Sequence, residues 1–142
     1  MTTVSLPLIR IVAVALLRDE QLLLVRKRGT ERFILPGGKF EPNETALEVA
    51  CRELHEELGI PLSPQALDFL GTFTAPAANE PGHDVLAIIF LARLPATLIP
   101  EPRAEIADLR FEPLTFPTSD LAPLVSRCVL PISQRLSSGV EA

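Results

Sequence analysis

Residues 38–60 decide the fold of this chain, and they read GKFEPNETALEVACRELHEELGI. Thr45 and Glu48 match a capping box, in which each side chain accepts a hydrogen bond from the other residue's backbone N–H at the start of a helix. Gly59 follows the last apolar residue and is typical of a left-handed helix stop. The stretch therefore predicts a helix over Ala46–Leu58.

The faces of this predicted helix differ in their chemistry. At about 100° per residue, the apolar side chains fall on one face, and they are Leu47, Ala50, Cys51, Leu54 and Leu58. A neighbouring arc holds three carboxylates, Glu53, Glu56 and Glu57, and the side that we expect to face solvent holds Glu48, Arg52 and His55. The apolar face predicts packing against a hydrophobic core. Such packing does not explain why three carboxylates lie together on the neighbouring arc.

The three carboxylates are unfavourable together in the absence of a partner. Like charges at i, i+3 and i, i+4 cost about 0.2–0.5 kcal/mol per pair, and the helix dipole disfavours anions in the last turns. A solvated acidic face is the ordinary alternative. A divalent cation such as Mg²⁺ or Mn²⁺ would turn the repulsion into shared attraction, and Mg²⁺ commonly bridges carboxylates to substrate phosphates. The pattern therefore favours a metal platform for a phosphorylated ligand.

The composition limits the classes of partner. The chain has 142 residues, of which 47% are hydrophobic, and a formal net charge of −5. This size and composition predict a single domain over residues 1–142 with its own core. The acidity is local, because Glu41–Glu57 contains six acidic residues and one basic residue. We expect a small-molecule partner rather than duplex nucleic acid, which binds basic surfaces.

The flanking sequence predicts strands on both sides of the helix. Two aliphatic runs separated by Arg18-Asp19-Glu20 are typical of a hairpin, and the predicted strands are 8–17, 21–26, 32–35, 67–74, 85–94 and 109–114. A loop is expected over 75–84, and a second helix is predicted from apolar residues at helical spacing, which are Leu121, Leu124, Val125, Cys128, Val129 and Ile132. Pro123 suits its first turn and Pro131 should kink or end it. This order indicates an α+β fold with helices packed on a mixed sheet.

We expect no membrane anchor within this sequence. Its longest charge-free apolar run, Ile11–Leu17, is too short to cross a bilayer. No basic residue precedes Arg10, and the acidic pair Asp19-Glu20 follows at once, which argues against a secretion signal. We therefore expect a cytoplasmic protein without membrane contact.

The whole motif resembles the signature of the Nudix hydrolases, G-x5-E-x7-R-E-U-x-E-E-x-G-U with U aliphatic. The matching residues are Gly38, Glu44, Arg52, Glu53, Leu54, Glu56, Glu57, Gly59 and Ile60. The preceding Leu35-Pro36-Gly37-Gly38-Lys39 is similar to the MutT-like branch of the family. The resemblance implies an α/β/α sandwich and hydrolysis of a nucleoside diphosphate linked to another moiety, assisted by Mg²⁺ or Mn²⁺.

The resemblance also implies roles for individual residues. Glu53, Glu56 and Glu57 match the carboxylates that hold metal, and Glu44 and Arg52 match supporting positions where a salt bridge can hold the loop against the helix. Gly38 and Gly59 match backbone positions, of which Gly38 approaches the metal. The general base of the family comes either from the motif, where Glu53 matches, or from a later segment. Glu105 resembles that later acid and is our choice for a further metal ligand, with Glu101, Asp108 and Glu112 as competing candidates.

Cationic and aromatic residues near the glycines are candidates for contacts with substrate. We assign Arg26 and Arg28 to the phosphates, together with Gly37 and Lys39 beside the motif. With neither Trp nor Tyr in the chain, a nucleobase would stack on phenylalanine, for which Phe33 is our choice and Phe40, Phe73 and Phe111 are competing candidates. His83 lies in the predicted loop and is another residue that could touch substrate.

Two substrate classes remain open at this point. Leu35–Lys39 favours a nucleoside triphosphate pyrophosphohydrolase, including enzymes that remove oxidised nucleotides. Pro76 lies sixteen residues after Ile60, a spacing that resembles ADP-ribose pyrophosphatases. A catalytically silent nucleotide-binding module is a further possibility, although all the motif carboxylates are present. The sequence is compatible with a monomer or a homodimer.

Overall fold

A computed structural model of the protein describes residues 8–114, 120–129 and 131. The strands are β1 (Leu8–Arg18), β2 (Gln21–Lys27), β3 (Gly37–Lys39), β4 (Asp68–Pro76), β5 (Asp84–Arg93) and β6 (Ile106–Pro113). The helix α1 spans Ala46–Leu58, a 3₁₀ turn spans Pro64–Ala66, and a π-helical segment spans Leu124–Val129. In this described part of the chain, no helix has the length and apolar character needed to cross a bilayer.

The central strand of the sheet, β1, pairs with different neighbours along its length. Its order is β4-β5-β1-β2-β6, with β1 and β5 parallel and the other neighbours antiparallel. β1 pairs with β2 only at the hairpin end, where Leu17 lies opposite Leu22, and its earlier residues pair with β3 instead. The two strands therefore diverge, and the chain leading into the glycine pair lies between them.

Side-chain alternation along β1 builds two cores, one on each face of the sheet. Val12, Val14 and Leu16 are fully buried in the cluster beneath α1. The intervening alanines and Leu17 belong to the opposite cluster, which is covered by the segment Leu121–Val129. The result is a three-layer α+β sandwich on a mixed sheet, which confirms the predicted fold class.

The helix α1 has the predicted bounds because its ends are specified locally. Thr45 Oγ1 accepts a hydrogen bond from the Glu48 N–H, and Glu48 Oε1 accepts one from the Thr45 N–H. Gly59 ends the helix with φ 69°. Its buried face is wider than predicted, since Val49 is also fully buried. Leu47 and Cys51 are only partly buried against the same core.

Two predicted strands differ from the observed ones. The expected strand over 32–35 forms only single bridges, Val25 with Ile34 and Phe33 with Leu121, and the regular strand lies further on, at Gly37–Lys39. Its position depends on pairing with β1, which local sequence does not reveal. The last strand begins at Ile106 rather than at 109.

The predicted C-terminal helix lies partly within the described residues. Leu124 and Val125 are buried against the sheet in the π-helical segment. Pro123 lies at the start of this helical turn, as expected, and the exposed Pro131 is also helical. Ile132 lies outside the described residues.

Candidate active site

A cleft of about 580 Å³ runs from the acidic face of α1 to the C-terminal π-helical segment. Its polar end contains Glu53, Arg52, Glu105 and Lys27, next to the backbone of Gly37 and Gly38. The other end is apolar and includes Ile9, Ile11, Val85, Leu124 and Val125. The cleft thus joins a charged end to an apolar chamber in one continuous space.

Arg52 connects the loop before α1 to the carboxylates of the helix. Its Nε and Nη2 atoms donate to the two carboxylate oxygens of Glu44 at 2.7 and 2.8 Å, and Nη2 also donates to the Lys39 carbonyl at 3.1 Å. Its Nη1 donates to Glu53 at 2.7 Å and to Glu56 at 3.3 Å. Arg52 was predicted to face solvent, but its side chain is only 20% exposed because it folds onto these partners.

The Arg52 guanidinium also controls the charge of its neighbours. Its hydrogen bonds hold the pKa of Glu44 at about 2, well below the ordinary value. Glu44 additionally accepts a hydrogen bond from the Glu41 N–H at 2.8 Å, which fixes the loop. The structure therefore contains the salt bridge that the motif implied, and it leaves Glu44 ionised.

Glu57 is a buried carboxyl group that lies next to the cleft, behind Gly37, without lining it. The residue is 2% exposed, and its Oε1 accepts a hydrogen bond from the Gly37 N–H at 3.0 Å. Burial raises the pKa of Glu57 to about 8, and the nearby Glu53 and Glu105 carboxylates add to the increase. Its Oε2 is buried without a hydrogen-bond partner in the described structure. A buried, unpaired carboxylate oxygen is costly unless a cation binds to it.

Close packing explains the two glycines that precede the motif helix. A Cβ at Gly37 would lie 2.1 Å from the Val12 carbonyl oxygen, and a Cβ at Gly38 would lie 2.5 Å from Glu53 Oε1. The backbone of β3 therefore lies directly against both β1 and the Glu53 carboxylate. A side chain at Gly37 would collide with the backbone of β1, whereas a side chain at Gly38 would displace the Glu53 carboxylate.

Among the later acids, Glu105 is the one that lines the cleft. Its Oε1 atom lies 3.5 Å from Lys27 Nζ, and the side chain is 57% exposed. Burial raises the pKa of Glu53, and the Glu105 carboxylate raises it further.

The three acids that competed with Glu105 lie in different surroundings. Glu101 is exposed and pairs with Arg103 at 3.6 Å, and Asp108 accepts a hydrogen bond from the Leu109 N–H. Glu112 is buried on the sheet face opposite α1, where it lies 3.1 Å from Arg110. The geometry therefore favours Glu105 over these three acids.

The donor set suits a hard divalent cation. Glu53 and Glu105 supply carboxylate oxygens that line the cleft, and the adjacent Glu57 has an unpaired Oε2 that could serve as a ligand atom. Within residues 8–114 and 120–129, however, no three His, Cys, Asp or Glu side chains are already arranged as a metal site. Glu56 is half exposed, bonded to Arg52, and does not line the cleft. Side-chain rotations would therefore have to complete the coordination.

The predicted phosphate contacts need a correction. Arg26 donates to the Thr30 carbonyl at 2.9 Å, Arg28 is exposed, and neither lines the cleft. Lys27, which lies between them and was not assigned to the phosphates, does line it. The signal was present in the alternation of β2, since Leu23 and Val25 face α1 and Lys27 continues the same face.

The predicted aromatic contact also needs a correction. Phe33 is 6% exposed within the apolar core, and the Arg110 guanidinium lies 4.0 Å from its ring centroid, so this ring does not reach the cleft. Phe40 lines the cleft and is 37% exposed. Phe73 packs against the core opposite α1, and Phe111 packs against the core beneath it.

The opposite wall of the cleft comes from the end of β4 and the following loop. Pro76, Ala77, Asn79 and Glu80 line it, whereas His83 does not. Lys39 Nζ lies 3.9 Å from Glu80 Oε1, which links this wall to β3. Lys39 thus lies at the cleft, as its predicted contact with substrate requires, and Pro76, noted for its spacing from Ile60, lies there too.

Comparisons with known proteins agree with this geometry. The NUDIX domain family model matches residues 7–127. A Bacillus subtilis protein assigned as an 8-oxo-dGTP diphosphatase is 28% identical over 113 residues, covering 68% of this chain and 76% of that protein. The ADP-ribose pyrophosphatase of Methanocaldococcus jannaschii is 35% identical over 77 residues, covering 52% of this chain and 44% of that enzyme.

A solved structure shows the same architecture. The MutT NUDIX hydrolase from Burkholderia pseudomallei superposes with a TM-score of 0.72 at 26% identity, covering 87% of this chain and 96% of that one. Because the family model spans most of the chain and the solved structure shares its architecture, this protein belongs to the Nudix hydrolase family and resembles its MutT-like members.

Proposed function

We propose that this enzyme is a nucleotide pyrophosphohydrolase that cleaves nucleoside triphosphates, including oxidised ones, with the help of Mg²⁺ or Mn²⁺. The observation on which this proposal rests is the buried Oε2 of Glu57, which lacks a hydrogen-bond partner behind Gly37, next to the cleft that Glu53 and Glu105 line. Burial raises the pKa of this carboxyl to about 8, so it keeps its proton near neutral pH until a bound cation replaces that proton. Phosphates are the substrate groups that such a cation would bridge.

The size and polarity of the cleft support a nucleotide substrate. Its volume of about 580 Å³ lies within the range of ordinary small-molecule sites. A phosphate chain would lie at the charged end, and a base would enter the apolar chamber. Phe40, which lines the cleft, offers the stacking surface that Phe33 does not provide.

The residues of the chain would divide the work of hydrolysis. A bound divalent cation would neutralise phosphate charge and lower the pKa of a coordinated water molecule. Glu53, Glu57 and Glu105 would hold it, the Gly37 N–H orients Glu57, and Arg52 orients Glu53. Lys27 and Lys39 would bind phosphate oxygens and would give up their ion pairs with Glu105 and Glu80 to do so.

The proton of the attacking water requires a general base. Glu53 and Glu105 both line the cleft and are both candidates. The Arg52 hydrogen bond restrains Glu53, whereas the Glu105 carboxylate is more exposed and pairs with Lys27 at 3.5 Å. Comparison of Glu53→Gln with Glu105→Gln in a pH–rate profile would assign the role, because loss of the base removes the acidic limb.

The alternative substrate class is a diphosphate with a second sugar moiety, such as ADP-ribose or a nucleotide sugar. Pro76 supports it, because this residue lines the cleft at the end of β4. The archaeal ADP-ribose pyrophosphatase is also the more identical of the two relatives, although the match covers less than half of that enzyme. The Bacillus relative, matched over more of both chains, favours the triphosphate class.

A product-resolved hydrolysis screen would separate these classes. Nucleoside triphosphates, 8-oxo-dGTP, ADP-ribose, nucleotide sugars and dinucleoside polyphosphates would each be tested with Mg²⁺ and with Mn²⁺. We expect the highest kcat/KM for a triphosphate, with pyrophosphate and a monophosphate as products. Exclusive cleavage of ADP-ribose or a nucleotide sugar would establish the second class. No metal-dependent turnover of any of them would indicate a silent binding module.

A further inference from the structure

Glu105 reaches the cleft from a segment, residues 101–105, that crosses the C-terminal end of α1. The Glu101 N–H donates to the Leu58 carbonyl at 3.0 Å, and the Arg103 N–H donates to the Glu57 carbonyl at 2.9 Å. These bonds satisfy two of the carbonyl groups that a helix end leaves unpaired. The segment is therefore fastened to the last turn of the helix that carries the motif carboxylates.

The chain then turns sharply into β6. The Ile106 N–H donates to the Arg103 carbonyl at 3.0 Å, which closes a turn around Ala104 and Glu105. The Glu105 carbonyl in turn accepts a hydrogen bond from the Arg28 N–H at 2.7 Å. Backbone hydrogen bonds thus hold the turn from both sides, by α1 and by the end of β2.

Ala104 has an unusual backbone within this turn. Its φ is 53°, in the left-handed region that glycine and asparagine adopt readily and that other residues adopt at a cost. Such a conformation persists only where the surroundings impose it, and it is commonly found at functional sites. A return of Ala104 to negative φ would rotate the next peptide plane and break one of the hydrogen bonds that flank it.

We propose that Ala104 is a positioning residue, whose left-handed backbone directs the Glu105 carboxylate into the cleft at a set separation from Glu53 and Glu57. This inference rests on the proposed function, because the separation matters only if the three carboxylates share a cation. The 101–105 segment thereby joins the acid outside the motif to the acids within it. The sequence alone does not show that the 101–105 segment is bonded to the end of α1.

The test compares side chains that tolerate the left-handed region with side chains that do not. Ala104→Gly and Ala104→Asn keep the backbone available, whereas the β-branched side chains of Ala104→Val and Ala104→Thr oppose it. We expect the Kd for Mn²⁺, measured by calorimetry without nucleotide, to rise about tenfold or more in Ala104→Val and Ala104→Thr. We expect it to change less than about twofold in Ala104→Gly and Ala104→Asn.

A double-mutant cycle distinguishes positioning from general destabilisation. If Ala104 acts through Glu105, then Ala104→Val should cost nothing further in Mn²⁺ affinity or in kcat when Glu105→Gln is already present. Far-UV circular dichroism and thermal unfolding without metal would confirm that each variant is folded. Ala104→Thr provides the second β-branched variant should Ala104→Val fail to fold.

The outcomes separate this inference from the proposed function. Equal Mn²⁺ affinity in Ala104→Val and Ala104→Asn, or additive losses in the double mutant, would overturn the positioning role while leaving the enzyme assignment intact. Unchanged Mn²⁺ binding and turnover in Glu105→Gln would remove the reason for positioning Glu105. A wild-type protein that binds Mn²⁺ but hydrolyses no nucleotide would contradict the proposed function alone.

Discussion

The acidic end and the cationic side of the cleft are built in different ways. Glu53 and Glu57 lie on one capped helix, and their carboxylates are bonded to Arg52 and to the Gly37 N–H. Lys27 and Lys39 come from two strand ends, and each contacts one acid only loosely, at 3.5 and 3.9 Å. The groups that we propose bind a cation thus lie on a rigid element, whereas the groups that we propose contact the substrate lie at strand ends.

The largest effect should follow a change at the acidic end. Glu57→Gln retains an oxygen for the Gly37 N–H but removes the anion, so we expect kcat to fall about 10³-fold, which corresponds to about 4 kcal/mol. The unfolding temperature without metal should stay equal or rise, since folding of the wild type at neutral pH requires Glu57, with its raised pKa, to take up a proton, and glutamine does not. Steady-state kinetics and thermal unfolding in a chelator measure both effects. Glu48→Gln on the exposed face is the matched control, and an equal loss of kcat there would contradict the prediction.

Substitution of Gly37 should mainly reduce stability, whereas substitution of Gly38 should mainly reduce activity. Gly37→Ala places a Cβ against the Val12 backbone carbonyl, so we expect a loss of about 3 kcal/mol in the free energy of unfolding. Gly38→Ala meets only the movable end of Glu53, so we expect less than about 1 kcal/mol there but a fall in kcat of about 100-fold. Chemical denaturation and kinetics on both variants test this contrast. The reverse order of the two stability losses would show that the packing around β3 is wrongly described.

Arg52→Lys should weaken the hydrogen bonds that hold the carboxylates at the acidic end of the cleft, without removing any of those carboxylates. Lysine keeps the charge but cannot make the two-pronged contact with Glu44. We expect kcat/KM to fall about 10–100-fold and the loop over 39–44 to exchange its amide hydrogens faster. Arg93→Lys at the end of β5 serves as the control. Unchanged exchange in the loop would mean that Arg52 does not hold it.

The smallest effect should follow a change on the cationic side. Lys27→Met removes a screened charge, so we expect KM for a nucleotide to rise about tenfold with kcat nearly unchanged. Arg26→Met and Arg28→Met should each change KM less than about twofold, because neither side chain lines the cleft. A larger effect of either arginine would restore its assignment to the substrate phosphates.

Features set by nearby residues could be predicted from the sequence, whereas features set by distant contacts could not. The bounds of α1 depend on Thr45, Glu48 and Gly59, which act within a few residues of the helix ends. Both bounds could therefore be predicted from the sequence. The position of β3 depends on its pairing with β1, and the burial of Arg52 depends on a loop folding back. Phe33 was misassigned because aromatic residues suit both a core and a stacking surface, and only the packing of Arg110 over its ring separates the two.

Above all, we propose that Glu53, Glu57 and Glu105 bind one divalent cation together. Anomalous diffraction from crystals soaked with Mn²⁺ and a nonhydrolysable nucleotide tests it most directly. We predict an anomalous peak coordinated by the Glu57 Oε2 atom and by the other two carboxylates. A peak elsewhere, with Glu57 still buried and unpaired, would contradict the claim.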